Sequence, residues 1–176
     1  MRHREMPDGK VEFAMEQTIA PIAEVGRLAP AFSLTDAAGR TVSLWGFKDR
    51  KNLLMVFFAP DGASDRQLLN RIKRDYAKIR AENAEVLAVG RGSAADVAGV
   101  AKDLELPYIV LADPTGGTHR LYGAAGPTTF LADRFGEIVL RLDSTGGLDE
   151  WMDKLLTRLG LIELQCPECG VPTWDQ

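Results

Sequence analysis

The only two thiols of this 176-residue chain are Cys166 and Cys169, in the segment Cys166-Pro167-Glu168-Cys169-Gly170 near its C-terminal end. Their spacing supports three readings. A C-x-x-C pair closes readily into a disulfide, and one thiol activates the other, which suits redox exchange. The same segment also resembles one knuckle of a zinc ribbon, in which a tight turn aims two thiolates at one ion. Zinc takes four ligands, so one knuckle needs either a second copy of the chain, giving a homodimer with four cysteines, or recruitment of His3 or His119. The third reading is a terminal segment without chemistry. Neither histidine sits in a recognisable triad context, and His119 reads as a loop or surface residue.

Composition narrows the classes. Hydrophobic residues make up 45% and charged residues 26%, ordinary for a globular domain, and the formal net charge is −4. That balance argues against nucleic acid or an anionic membrane as partner, because both demand concentrated positive charge. No apolar run approaches the ~20 residues that span a bilayer, and the first residues lack the apolar core of a signal peptide. The expected location is therefore the cytoplasm. With both cysteines close to the C-terminus, a disulfide-stapled scaffold is excluded, and a chain of this size needs no staple to fold.

The elements that must position any site follow from the hydrophobic pattern. Residues 1–24 contain a turn at Pro7, Asp8 and Gly9 and a candidate strand over 10–15. Residues 31–35 are extended, 36–39 form a turn, and 40–44 alternate as the second arm of a hairpin. Residues 53–58 are a continuous apolar run, the mark of a strand covered on both faces. Leu68, Leu69, Ile72, Tyr76 and Ile79 recur at three- and four-residue spacing, which predicts a helix over 64–83. Residues 85–89 read as a second buried strand. A helix begins at Ser93 or Asp96 and stops before Pro107, and 108–111 is a third apolar run. Residues 129–132 and 138–142 flank a turn, a hairpin signature, and Trp151, Leu155, Leu156 and Leu159 form the apolar face of a helix over 148–161. Strand–helix–strand repeats require parallel pairing and hairpins antiparallel pairing. The sum is an α/β fold with a mixed central sheet and helices on both faces.

Five segments carry a resemblance. They are V-G-R-L-A-P-A-F-S-L at 25–34, the hairpin from Asp36 to Leu44, V-F-F-A-P at 56–60, L-A-D-P at 111–114 with Tyr122-Gly123, and P-T-T-F-L-A-D at 127–133 with Gly136. In that order they resemble the alkyl hydroperoxide reductase and thiol-specific antioxidant family of peroxiredoxin-like redoxins, over about residues 25–159. The resemblance implies a thioredoxin-like three-layer sandwich with an N-terminal hairpin. It also implies thiol chemistry, either disulfide exchange or peroxide reduction, with a disulfide-containing protein or a thiol reductant as partner.

In that family a thiolate stands at the start of the helix after the first buried strand, where the partial positive charge of the helix end lowers its pKa. Here the stretch reads Asp61-Gly62-Ala63-Ser64-Asp65-Arg66-Gln67. Against disulfide-exchanging relatives, Gly62 and Asp65 take the cysteine positions. Against the peroxidases, Ser64 takes the threonine position and Gln67 that of the reactive cysteine. Neither alignment places a thiol there. Ser64 or Asp65 is expected to cap the helix, and Ser64 lacks the base that a nucleophilic serine needs. Pro127 stands where the peroxidases carry arginine and resembles the cis-proline of the disulfide-exchanging branch.

The expected binding cleft is thus Gly62, Ala63, Ser64, Asp65, Pro127 and Thr128, with any thiol chemistry resting on Cys166 and Cys169. Because the last helix ends near Leu161, the tail is expected to fold back to the cleft and replace the lost thiols. The rival reading is a non-catalytic binding module with a zinc-binding tail shared across a dimer. The chain divides into an N-terminal extension (1–24), a redoxin domain (25–161) and a C-terminal tail (162–176).

Overall fold

A hairpin of short strands, β1 (Ser33–Asp36) and β2 (Thr41–Ser43), leads through a 3₁₀ turn at Leu44–Phe47 into β3 (Asn52–Phe58), whose seven residues are all buried. Then come α1 (Ala63–Ala81), β4 (Ala84–Gly90), α2 (Ala94–Asp103), β5 (Ile109–Ala112), α3 (Gly117–Tyr122), β6 (Thr128–Ala132), β7 (Ile138–Asp143) and α4 (Leu148–Glu163). This computed structural model describes residues 23–143 and 147–164. The candidate strand over 10–15 and the two cysteines lie outside them. No helix among the described residues is long and apolar enough to cross a membrane.

The strands form one sheet in the order β2-β1-β5-β4-β3-β6-β7. β3 pairs in parallel with β4, and β4 with β5, while the remaining pairs are antiparallel. Two successive crossovers that step the same way along a sheet put their helices on the same face, given their common right hand. α1 and α2 accordingly share a face with α4, packed over Leu54, Val56, Phe58, Val86 and Ala88. The other face is covered thinly, by Tyr122 of α3 and by Ala29, Phe32 and Leu44 of the segments before β3. The expected helices on both faces are present, but the second layer contains a single helix of six residues.

Alternation along β3 explains this. Leu53, Met55 and Phe57 face the thin layer, while Leu54, Val56 and Phe58 face the helical one. Both sets are fully buried, so no polar residue is tolerated between Leu53 and Phe58.

Asn52 begins β3 and ties four elements together. Its Nδ2 donates to the Glu82 carbonyl (3.3 Å) and to Glu163 Oε1 (2.7 Å), and its Oδ1 accepts the Arg134 amide (3.0 Å). The side chain is completely buried and uses both its donor and its acceptor ends, so its partners are obligatory. It fixes the end of α4 beside the end of α1 and the β6–β7 turn. Asn52→Ala should lower stability by about 2–4 kcal/mol in urea unfolding, because three half-buried polar groups lose a partner and a fully buried side chain is emptied. Asn52→Asp should cost more at pH 7, where two carboxylates face each other, and recover part of that loss near pH 4. Equal losses at the two pH values would contradict this account of the contact.

Candidate functional site

Parallel strands collect their C-terminal ends, and the helices that follow them, on one edge of a sheet, which is where ligands of open α/β folds sit. Here that edge comprises the loops after β3 (59–62), β4 (91–93) and β5 (113–116). The pairing of Phe57 with Thr128 brings a fourth segment to it, since Pro127 must then lie opposite the end of β3. The start of α1 and Pro127 thus lie on the same edge of the sheet.

The start of α1 is closed rather than open. Gly62 is the N-cap residue, with no side-chain cap, and neither Ser64 nor Asp65 caps the helix as expected. Asp65 instead turns back one step further, its Oδ1 accepting the Ala59 amide at 2.9 Å, and it is buried. The carboxylate thereby fixes the β3–α1 turn. It also occupies the space beside Gly62: a Cβ at that position would lie 1.9 Å from Asp65 Oδ2 and 2.7 Å from its Cγ. Gly62 and Asp65 are mutually dependent. Ala63, Ser64 and Gln67 are exposed. Among them only Ser64 offers a hydroxyl, and no base stands beside it.

The Pro127 side of the cleft is built from backbone. The peptide bond before Pro127 is trans, so the resemblance to a cis-proline does not extend to geometry. Thr128 is buried, and its hydroxyl is shared between the Gly126 carbonyl (3.0 Å) and Asp143 Oδ1 (3.1 Å), pointing toward β7. A cavity of about 380 Å³ lies beside Pro127 and Arg141. A second, of about 670 Å³, lies between α1 and α2, lined by Pro60, Asp61, Arg66, Arg91 and Gly99 among others. Arg66 spans its mouth, donating to the Pro60 carbonyl (3.4 Å) and pairing with Asp103 (3.8 Å).

His119 is not the surface residue that sequence suggested. It lies on α3 and is buried, with its backbone amide (2.9 Å) and Nδ1 (2.8 Å) both on Asp113 Oδ2. Its Nε2 is enclosed without a hydrogen-bond partner, and the ring stands edge-on to Phe57 at 5.1 Å. Turned into the thin layer, this pair positions the loop after β5 instead of acting on a ligand. Tyr122, one turn later, donates to the Pro30 carbonyl (2.7 Å), and burial pushes its phenol well above the ordinary range, so it stays a donor.

Among the described residues, no thiol and no cluster of three or more metal-ligating side chains occupies this edge. Loops after parallel β3, β4 and β5, a proline opposite the end of β3 and a helix springing from that end match the motif order found in the sequence. The model of the AhpC/TSA family matches residues 25–141, about two thirds of the chain. The chain belongs to the AhpC/TSA family.

Within that family it is similar to the chloroplastic peroxiredoxin Q of Suaeda salsa, 25% identical over 146 residues that cover 78% of this chain and 68% of the relative. It is also similar to the thiol-disulfide oxidoreductase ResA of Bacillus thuringiensis, 25% identical over 138 residues covering 75% and 79%. The chain spans 56% of the length of the peroxiredoxin Q of Triticum aestivum and 49% of that of Oryza sativa. Among solved structures, peroxidoxin BcpB from Mycobacterium tuberculosis matches with a TM-score of 0.72 at 18% identity, covering 80% of this chain and 98% of that one. The thioredoxin domain of a thiol-disulfide oxidoreductase from Bacteroides vulgatus matches with 0.64 at 21%, covering 76% and 98%. The fold is thioredoxin-like.

Sequence reasoning missed the Asp113–His119 pair and the close fit of Gly62 against Asp65. The spacing of Asp113 and His119 was visible, but α3 is too short to show a helical period. If Gly62 and Asp65 share one space, their substitutions must couple. Gly62→Ala should cost about 1–3 kcal/mol from overpacking, and Asp65→Ala a similar amount from the abandoned Ala59 amide. The double variant should lose at least about 1 kcal/mol less than the sum, whereas additivity within about 0.5 kcal/mol would refute the shared space.

Proposed function

We propose that this protein is a redoxin whose thiol chemistry is confined to Cys166 and Cys169, and whose cleft at the start of α1 binds a partner without reacting with it. The observation that carries this reading is the Gly62–Asp65 contact. A carboxylate anchored to the Ala59 amide fills the space in which a side chain at 62 would stand. Restoring a thiol at Gly62 alone is sterically blocked. The degenerate site is thus supported by packing as well as by the missing cysteines.

The position of α4 separates the tail from the cleft. Glu163 is bonded to Asn52, at the opposite end of β3 from Gly62. α1 runs between these two poles, and its 19 residues measure roughly 28 Å at 1.5 Å per residue. Cys166 lies three residues beyond Glu163 and extends at most about 10 Å from it. This argues against the tail folding back into the cleft of its own chain. The pair acts at the Asn52 pole or on another molecule.

With a peroxide, one thiolate attacks an oxygen of the O–O bond, the leaving oxygen takes a proton as alcohol or water, and the sulfenic acid condenses with the second thiol, releasing water. The two thiols lose two electrons and form one disulfide. With a disulfide partner, the same two electrons pass to the partner's sulfurs through a mixed disulfide. The zinc alternative loses one of its ligand sources, because His119 is buried on Asp113 at the cleft pole.

Thiol titration before and after one equivalent of hydrogen peroxide, with and without a zinc chelator, tests the proposal. Loss of two titratable thiols without chelator, with a Cys166–Cys169 disulfide in the oxidised protein, is the expected result. Thiols that react only after chelation, and resist peroxide until then, would overturn it in favour of a structural zinc site.

A further inference from the structure

β5 stops before its neighbour β1 has run its length, and the mismatch leaves part of β1 open. The Asp36 amide donates to the Arg40 carbonyl (2.9 Å) and the Leu44 amide to the Phe32 carbonyl (3.3 Å). Residues 32 and 36 therefore turn their backbone groups toward β2. Such groups alternate in direction along a strand, so Ser33 and Thr35 turn theirs toward β5. Thr35 meets Ala112 there. Ser33 meets no strand, because β5 ends at Ala112 and the residue that would face it is Pro114. Proline has no N–H to give. Among the described residues, no backbone bond joins Ser33 to the loop 113–116.

The gap opens into a cavity of about 720 Å³. Residues 31–35 line one side of it, and the loop after β5 lines another with Thr118 and Leu121 of α3. Ala94, at the start of α2, also lines it, and both Ala94 and Ser33 are exposed. Asp113 is the one ionisable residue in this lining. It is 1% exposed, and its Oδ2 is held by the amide and Nδ1 of His119. The other lining residues are glycine, apolar or hydroxyl-bearing. The cavity thus offers no charge to a ligand, only an open main-chain donor and acceptor beside small and apolar side chains.

We propose that this cavity binds an extended peptide segment with uncharged side chains. The segment lies antiparallel to β1, and one of its residues exchanges both main-chain hydrogen bonds with Ser33. An extended chain presents a donor and an acceptor at the spacing this exchange requires. Residues opposite one another in a sheet share a face. Phe32 and Leu34 pack into the thin layer, so Ser33 and the residue opposite it face the α2 side, where Ala94 is small. The two flanking residues of the segment face the α3 side, toward Leu121. This site is independent of the tail thiols and of their chemistry.

The test is an NMR titration of the full chain with the capped peptide acetyl-Ala-Val-Ala-Val-Ala-amide, and with the same peptide N-methylated at every residue. The first peptide should give saturable shifts of the Ser33, Thr118 and Leu121 amides. The second, which has lost its backbone donors, should bind with a Kd at least about tenfold higher. Ser33→Pro deletes the Ser33 donor, and Ala94→Trp fills the space beside it from an exposed position. Each should raise the Kd of the first peptide by a similar factor, and Ala94→Trp decides the matter if Ser33→Pro does not fold. Shifts that stay linear to high concentration, or equal binding of the two peptides, would overturn the proposal. So would an affinity unchanged in Ala94→Trp with its spectrum otherwise intact.

Discussion

Burial of β3 on both faces is the constraint from which the rest of the molecule follows. A strand with no exposed residue must lie inside the sheet and must have a layer above and below it. It therefore needs neighbours on both edges, supplied by β4 and β6, and it hands its two ends to the two poles of the protein. Asn52 at one end gathers the ends of α1 and α4 and the β6–β7 turn. Ala59 to Gly62 at the other launch α1, on the edge to which the Phe57–Thr128 pairing brings Pro127. The start of α1 lies at one pole and the end of α4 at the other.

At the start of α1 the chain keeps the scaffold of its family, with no cysteine among residues 61–67. Asp65 turns its carboxylate back from the first turn of α1 onto the Ala59 amide and so fixes the β3–α1 turn. In doing so it reaches across Gly62, so that the two residues form one packing arrangement.

Much of this was legible in the chain. The apolar run of β3, the three- and four-residue spacing of α1, the polar turn between β6 and β7 and the spacing of α4 are all local patterns, and local geometry alone sets their periods. α1 spans Ala63–Ala81 against an expected 64–83, and β3 gains Asn52 at its start. That gain shows why the boundary was missed: Asn52 is polar and belongs to the strand because its partners come from residues up to 111 positions away. His119 was misread for the same reason. Its burial depends on Asp113, Phe57 and the thin second layer, none of which its own neighbours in sequence announce.

The sequence by itself determined the element order apart from α3 and the 3₁₀ turn, the family, and the absence of a thiol from residues 61–67, because composition and periodicity are properties of the chain alone. Only the tertiary structure decided that Asp65 closes the space beside Gly62, that His119 is bound to Asp113, and that α4 ends far from the cleft. Those depend on distances between residues remote in the chain, and such distances exist only once the two layers have closed over β3.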